Sequence, residues 1–346
     1  MSIRYFLGAN SAGGFFSHYD ELLPARQRLR ILKGGPGCGK STLMKRVAEE
    51  AERLGLAAER IPCSSDPDSL DGIVVPDLGY AVADGTAPHI VEPVLCGCGE
   101  VYLDLGRGYD AAALFGIRDT LRSLSRAAGD CFPAATACLR AAADLEPLLA
   151  TERKNELTPA LALSLCEKEL PDRADRADQT GAVRRVFLSG HTPEGRICYW
   201  ETVAALCPRV YVLHGAAAHT SALLQTIGRV AAAKGWDTRV CDSPLLPGQL
   251  TEHLLIPALG LALVTSTPSL PYPGKDGRHL GNPNGGETLY ALQHELLQQA
   301  FGHLRRAKEY HDLLEAAYRP FVDFSVADKG TEFCCAELHA LWEAQR

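Results

Sequence analysis

The segment "ILKGGPGCGKSTLMKRV" (31–47) carries residue types at a spacing that can hold a polyphosphate. Gly34, Gly39, Lys40 and Ser41 fit G-x-x-x-x-G-K-[ST], with Gly35, Pro36, Gly37 and Cys38 between them and Thr42 after. Glycines let a backbone wrap round phosphate oxygens without Cβ clashes. The N–H groups of such a loop, and of the helix it opens, complement the negative charge. Lys40 would reach the β- and γ-phosphates, and the Ser41 hydroxyl would ligate Mg2+. Gly34 to Thr42 are therefore the expected nucleotide-binding residues.

A Mg2+ site of this kind takes a second ligand from a carboxylate at the end of a neighbouring strand. In "GYAVADGTAPHI" (79–90), small and apolar residues run up to Asp84 and Gly85 then breaks the strand. Asp84 is the candidate Walker B-type aspartate, with Thr86 and His89 just beyond it. Between loop and carboxylate lies "IPCSSDPDSLDGIVVPDLG" (61–79), an apolar strand end followed by Ser64, Ser65, Asp66, Asp68 and Asp71 in an expected loop. An α/β nucleotide enzyme brings water-orienting or acceptor-binding groups to such a position. Asp66 or Asp68 is the candidate general base, although "DPDS" also reads as a turn and helix N-cap. The expected catalytic set is Lys40, Asp66, Asp68 and Asp84, the metal ligands Ser41 and Asp84, and the cofactors ATP and Mg2+.

These residues need a strand before the loop and a helix after it. Ile31 and Leu32 read as the strand end; Leu43, Val47, Ala51 and Leu54 recur at helical spacing. The chain then repeats itself. "YFLGANSAGG" (5–14) matches "VFLSGHTPEG" (186–195) and "VVPDLGYAVADGT" (74–86) matches "LIPALGLALVTST" (255–267), both at an offset of 181 residues. A fixed offset marks a structural repeat. The expected fold class is α/β: two P-loop NTPase-like repeats, each a mostly parallel sheet flanked by helices, with added helices. The first domain, 1–181, holds the intact loop; the second, 182–346, is a degenerate copy. "HGAAAHTSALL" (214–224) has no lysine, and Thr265 stands where the first copy has Asp84. The two repeats are expected to pack as a pseudo-dimer. Residues 109–129, 134–168 and 287–318 read as helices, "PDRADRADQT" (171–180) as a linker, and 266–286 as a long Pro/Gly-rich loop.

The paired "GANSAGGFF…ILKGGPGCGKSTLMK…CSSDPDSLDGIVVP…DGTAPH" segments resemble a bacterial family of tandem P-loop proteins, described as ATPases or ATP-binding proteins. The resemblance spans most of the chain. It implies that Gly34 to Thr42 bind nucleotide phosphates and that Asp84 binds the metal. Family members often keep a P-loop in both halves, and this chain departs from that pattern at 214–224 and Thr265.

The bulk properties narrow the partners. A length of 346 residues suggests about two domains. A formal charge of -7 disfavours broad binding to nucleic acid or acidic membranes. The longest strongly apolar run, 254–266, is too short for a membrane span and contains Pro257. No leader pattern opens the chain, so a cytoplasmic protein is expected. The twelve cysteines form no regular disulfide framework. Within "LCGCGE" (95–100), Cys96 and Cys98 read as residues of a tight turn rather than a metal site. The functional expectation is a Mg2+-dependent ATPase or NTPase with one site. Its partners are the nucleoside triphosphate and a client protein or small-molecule acceptor, with a homo-oligomer open. The alternatives are a small-molecule kinase and a non-catalytic, nucleotide-gated scaffold.

Overall fold

The computed structural model describes residues 3–21, 28–173, 175 and 179–346. Four residues of the expected linker, 174 and 176–178, lie outside the described residues. The first half runs β1 (Ile3–Arg4), β2 (Gly8–Ser11), β3 (Gly14–Ser17), β4 (Arg28–Lys33), α1 (Lys40–Arg53), β5 (Glu59–Cys63), β6 (Asp66–Val75), β7 (Tyr80–Asp84) and β8 (Glu100–Asp104). Four helices follow: α2 (Ala111–Gly116), α3 (Arg118–Ala143), α4 (Glu146–Glu152) and α5 (Pro159–Glu169). The second half runs β9 (Val183–Val186), β10 (Ser189–Thr192), β11 (Gly195–Cys198), α6 (Trp200–Leu206), β12 (Arg209–His214), α7 (Ala217–Ala233), β13 (Thr238–Asp242), β14 (Thr251–Ile256), β15 (Leu261–Thr265) and β16 (Arg278–Gly281). It closes with α8 (Glu287–Tyr318) and α9 (Ser325–Ala344).

The repeat is visible in the topology. One six-stranded sheet has the order β1-β5-β6-β7-β4-β8, and the other, read from β9, has β9-β13-β14-β15-β12-β16. Strand for strand these are the same sheet, so the chain forms two pseudo-symmetric α/β domains. In each sheet five of the six strands run in one direction, the mostly parallel arrangement expected from the sequence. Each is mixed, because its third strand runs antiparallel to both neighbours. In the first half the reason is β6. Residues 66–71, expected in a loop, form the start of this strand, which folds back on β5 through the two-residue turn Ser64–Ser65.

Helix α1 illustrates how local sequence sets an element. Its buried face is Leu43, Met44, Val47, Ala48 and Ala51, spaced to one side of the helix. It ends at Gly55, whose positive φ suits a residue without a Cβ. The Gly55 N–H donates to Glu52 O and the Leu56 N–H to Ala51 O, the paired bonds of a Schellman stop. Helix α7 ends the same way at Gly235, with Trp236 N–H on Ala231 O. The α1 face packs on Ile73, Val75, Tyr80 and Val82 of the sheet and on Cys334 and Leu338 of α9. Burying each large α1 side chain contributes about 1.5–3 kcal/mol.

Other expectations met the structure unevenly. Helix α8 covers the residues expected, 287–318. The break expected near 130–133 is absent: α3 continues through Pro133, at the cost of one backbone hydrogen bond. The helix expected over 134–168 is instead interrupted twice, between α3 and α4 and between α4 and α5. The long loop 266–286 contains β16, an edge strand parallel to β12. Cys96 and Cys98 are exposed thiols in a turn whose Gly97 and Gly99 have positive φ.

By packing, the chain forms two compact units that differ from the sequence halves 1–181 and 182–346. One consists of residues 9–16 and 135–301; the other contains residues 3–8, Ser17–Ala134 and Gly302–Arg346. The glycine-rich loop thus shares a unit with the end of α8 and all of α9. Among the described residues, no helix is long and apolar enough to cross a membrane.

Candidate functional site

The glycine-rich loop joins the end of β4 to the first residue of α1. Gly37 and Gly39 adopt φ of 71° and 93°. Gly39 is the N-cap and offers no side-chain acceptor, and α1 has no acidic residue in its first turn. The first-turn N–H groups are therefore not capped from within the helix, which leaves its positive end available to an anion. A Cβ on Gly34 would lie 2.6 Å from Cys38 Sγ, so the thiol would have to turn aside.

The Lys40 side chain folds back over this loop. Its Nζ donates to Gly34 O at 2.7 Å and Gly35 O at 2.9 Å, and lies 3.6 Å from Asp84 Oδ2. Asp84 ends β7, the strand beside β4, and its position pairs with Leu32. Its other oxygen accepts from the Thr86 N–H at 2.8 Å and the Thr86 hydroxyl at 2.6 Å. Burial raises the Asp84 pKa; Lys40 and the Thr86 bonds oppose this without cancelling it. Ser41, the second α1 residue, accepts from the Leu70 N–H at 3.0 Å. The fold thus brings Lys40, Ser41 and Asp84 to one end of the sheet around the loop.

Asp66 and Asp68 stand differently. Asp66 accepts from Ser69 Oγ at 2.7 Å and lies 3.4 Å from Lys308 Nζ of α8. Asp68 is exposed on β6, and Thr42 is exposed on α1. Asp71, two turns of pleat further along β6, is buried and 3.1 Å from His89 Nε2. Burial lowers the His89 pKa, but Asp71 more than offsets this and leaves it raised.

Two groups at the loop are not suggested by any local motif. Glu315 of α8 accepts from the Gly37 N–H at 3.3 Å, so a carboxylate oxygen already sits on a loop donor. Its pKa is lowered first by the His311 hydrogen bond, with Gly37 and Lys40 adding to the effect. Tyr109 donates its hydroxyl to Pro36 O at 3.0 Å, and its ring lies 5.3 Å from that of Tyr318, tilted by 44°. Both contacts depend on residues 302–346 or 109 reaching the loop, which no sequence window reveals.

The corresponding place in the second half keeps the frame but has no counterpart of the Lys40 and Asp84 side chains. Ser221 Oγ accepts from Thr251 N–H at 2.8 Å, the counterpart of Ser41 with Leu70. His214, in place of Lys33, shares a 2.7 Å contact with His279, ring stacked on ring. Thr265 ends β15, and its N–H donates to His253 Nδ1 at 3.2 Å. The carboxylate here is Glu252, one strand over and buried. Burial raises its pKa, but Arg196, His253 and Ser189 together bring it down to about 2.

Comparison with protein-family models, with curated proteins and with solved structures found no match. The functional argument therefore rests on this chain's own residues.

Proposed function

We propose that residues 34–42 are the P-loop of a single Mg2+-dependent nucleoside-triphosphate site, with ATP the expected nucleotide, and that the protein hydrolyses it. One observation carries this reading: an uncapped helix N-terminus behind a glycine loop, with the Lys40 ammonium 3.6 Å from the buried Asp84 carboxylate. The backbone N–H groups of Gly34 to Thr42, Pro36 excepted, would hold phosphate oxygens. Lys40 would exchange its two carbonyl partners for the β- and γ-phosphates. Ser41 and Asp84 offer hard oxygen donors, which fit Mg2+. When bound, Mg2+ would neutralise charge developing on the phosphates. Asp66 and Asp68 remain the proposed sources of water activation. The second half lacks the lysine and the strand-end carboxylate and is read as a non-hydrolysing repeat. A cytoplasmic setting and a client protein or small-molecule acceptor belong to the same reading.

The engagement of Asp66 by Ser69 and Lys308 favours one second reading. With its candidate base tied to α8, the site would bind Mg-nucleotide as a switch and turn over slowly. A kinase would instead consume nucleotide only with an added acceptor. The test is a phosphate-release time course with ATP and Mg2+, wild type beside Lys40→Ala, with no acceptor present. Sustained release that collapses in the variant is expected. No release from folded wild-type protein would sink the stand-alone hydrolase.

A further inference from the structure

Beside this site, three side chains of different chemistry converge. Cys63 ends β5, Asp71 lies within β6, and His89 follows β7. Their donor atoms, one thiol sulfur, one carboxylate oxygen and one imidazole nitrogen, all lie within 4.8 Å of one another. The backbone explains how. In the β5–β6 pairing Ile61 faces Gly72 and Pro62 faces Leu70, so Asp71 is the extra residue of a bulge. A bulge re-aims a side chain relative to the alternation of its strand. Leu70, Asp71 and Ile73 are accordingly all buried, at 6%, 5% and 0% exposure.

We propose that Cys63, Asp71 and His89 form a three-donor site for a divalent transition metal of the Zn2+ class. Sulfur, nitrogen and oxygen donors together suit a borderline-soft ion, whereas Mg2+ prefers oxygen alone. Three protein ligands leave a fourth tetrahedral position open to water or another ligand. Metal–ligand bonds of about 2.0–2.3 Å put tetrahedral donors about 3.5 Å apart, so the longest edge of the triangle need close by only about 1 Å. The His89–Asp71 edge, at 3.1 Å, is already short enough. The Tyr19 ring lies tilted beside the imidazole, with ring centroids 5.0 Å apart, and its phenol group faces Asp71. A carboxylate and a thiol face one imidazole, and a buried carboxylate is costly unless it is paired, as Asp71 is with His89, or holds a metal. Binding converts the Cys63 thiol to a metal-bound thiolate and releases its proton to solvent. The site shares no residue with the proposed Mg2+ ligands Ser41 and Asp84, although the Asp84 charge is near enough to act on His89, and it does not depend on the nucleotide reading.

The experiment is an anaerobic titration of chelator-treated full-length protein with Co2+, followed by thiolate-to-metal charge-transfer absorbance. The expected result is a band that saturates at one equivalent and is abolished by Zn2+. Cys63→Ser should lose the band; Asp71→Asn and His89→Gln should weaken Co2+ binding by at least about tenfold. A Cys96→Ser/Cys98→Ser double variant should bind as wild type. Absence of the band in wild type, or its persistence in a folded Cys63→Ser protein, would overturn the proposal. Should the Cys63 variant not fold, alkylation of wild type with and without Zn2+ decides the matter. Cys63 protected by Zn2+ supports the site, and Cys63 modified equally in both overturns it.

Discussion

The most quantitative consequence of the fold concerns His191 and the pH dependence of stability. His191 lies in β10, is 1% exposed, and is the repeat counterpart of Asn10 in β2. The two hold each other reciprocally: Asn10 Nδ2 donates to His191 O at 3.0 Å, and His191 Nδ1 meets Asn10 O at 2.9 Å. A carbonyl only accepts, so Nδ1 carries a proton and donates it. A residue bonded to its own repeat equivalent is what an isologous contact produces, here inside one chain. Burial and then Arg196 depress the His191 pKa to about 4, against the opposing pull of Asn10 O. The unfolded chain titrates near 6.5, so it takes up the proton first as pH falls. Stability from the neutral, buried ring is therefore complete above about pH 6.5 and is lost progressively toward about pH 4. At about 1.4 kcal/mol per pKa unit, the full loss is about 3 kcal/mol. Most of it should appear between about pH 7 and about pH 4.5. His191→Asn makes the contact symmetric and removes the titration. Chemical unfolding of both proteins at the two pH values isolates the term, because titrations common to both cancel in the difference. Wild type should lose about 2–3 kcal/mol more than the variant. Parallel losses, or an imidazole pKa near 6.5 by NMR, would refute the reasoning.

Three further outcomes follow from the same structure. Glu337→Ala should cost about 3–5 kcal/mol in denaturant unfolding, because it strands the buried Arg30 guanidinium, now held by Glu337 at 2.6 and 2.5 Å; a loss under about 1 kcal/mol would contradict it. Glu315→Ala should tighten Mg-nucleotide binding in a direct titration, since it frees the Gly37 N–H from a competing carboxylate; weaker binding would mean that Glu315 supports the loop. Gly34→Ala should lower thermal stability and nucleotide affinity through the 2.6 Å clash with Cys38 Sγ, and Cys38→Ala in the same chain should restore much of both. Additive losses in the double variant would place the strain elsewhere.

What could be seen in the sequence was whatever its information keeps local. The glycine loop, the helix after it and the strand ending at Asp84 are each written in consecutive residues. The repeat was legible because the same strands recur at one offset, and the shared sheet order bears this out. Strand β6 was hidden because its polar start, Asp66 and Asp68, resembles a loop. The only signal was the two-residue gap at Ser64–Ser65, the length of a tight hairpin turn. The two helices read at 109–129 and from 134 are joined across Pro133 in α3, whose neighbouring turns sustain it. The long-range pairs were beyond reach: Arg30 with Glu337 spans 307 residues, Asp66 with Lys308 joins β6 to α8, and Cys63, Asp71 and His89 meet only because a bulge turns Asp71 toward the other two.

The central claim is one Mg-nucleotide site centred on Lys40, and calorimetric titration of the full chain with ATP in the presence and absence of Mg2+ tests it most directly. The account predicts saturation at one equivalent per chain, dependence on Mg2+, and weakening by about 10- to 100-fold in Lys40→Ala, the loss of a charge-assisted phosphate contact. Asp84→Asn should remove the Mg2+ dependence more than the binding itself. No saturable binding by folded protein, or binding to which Lys40→Ala is indifferent, would contradict the account.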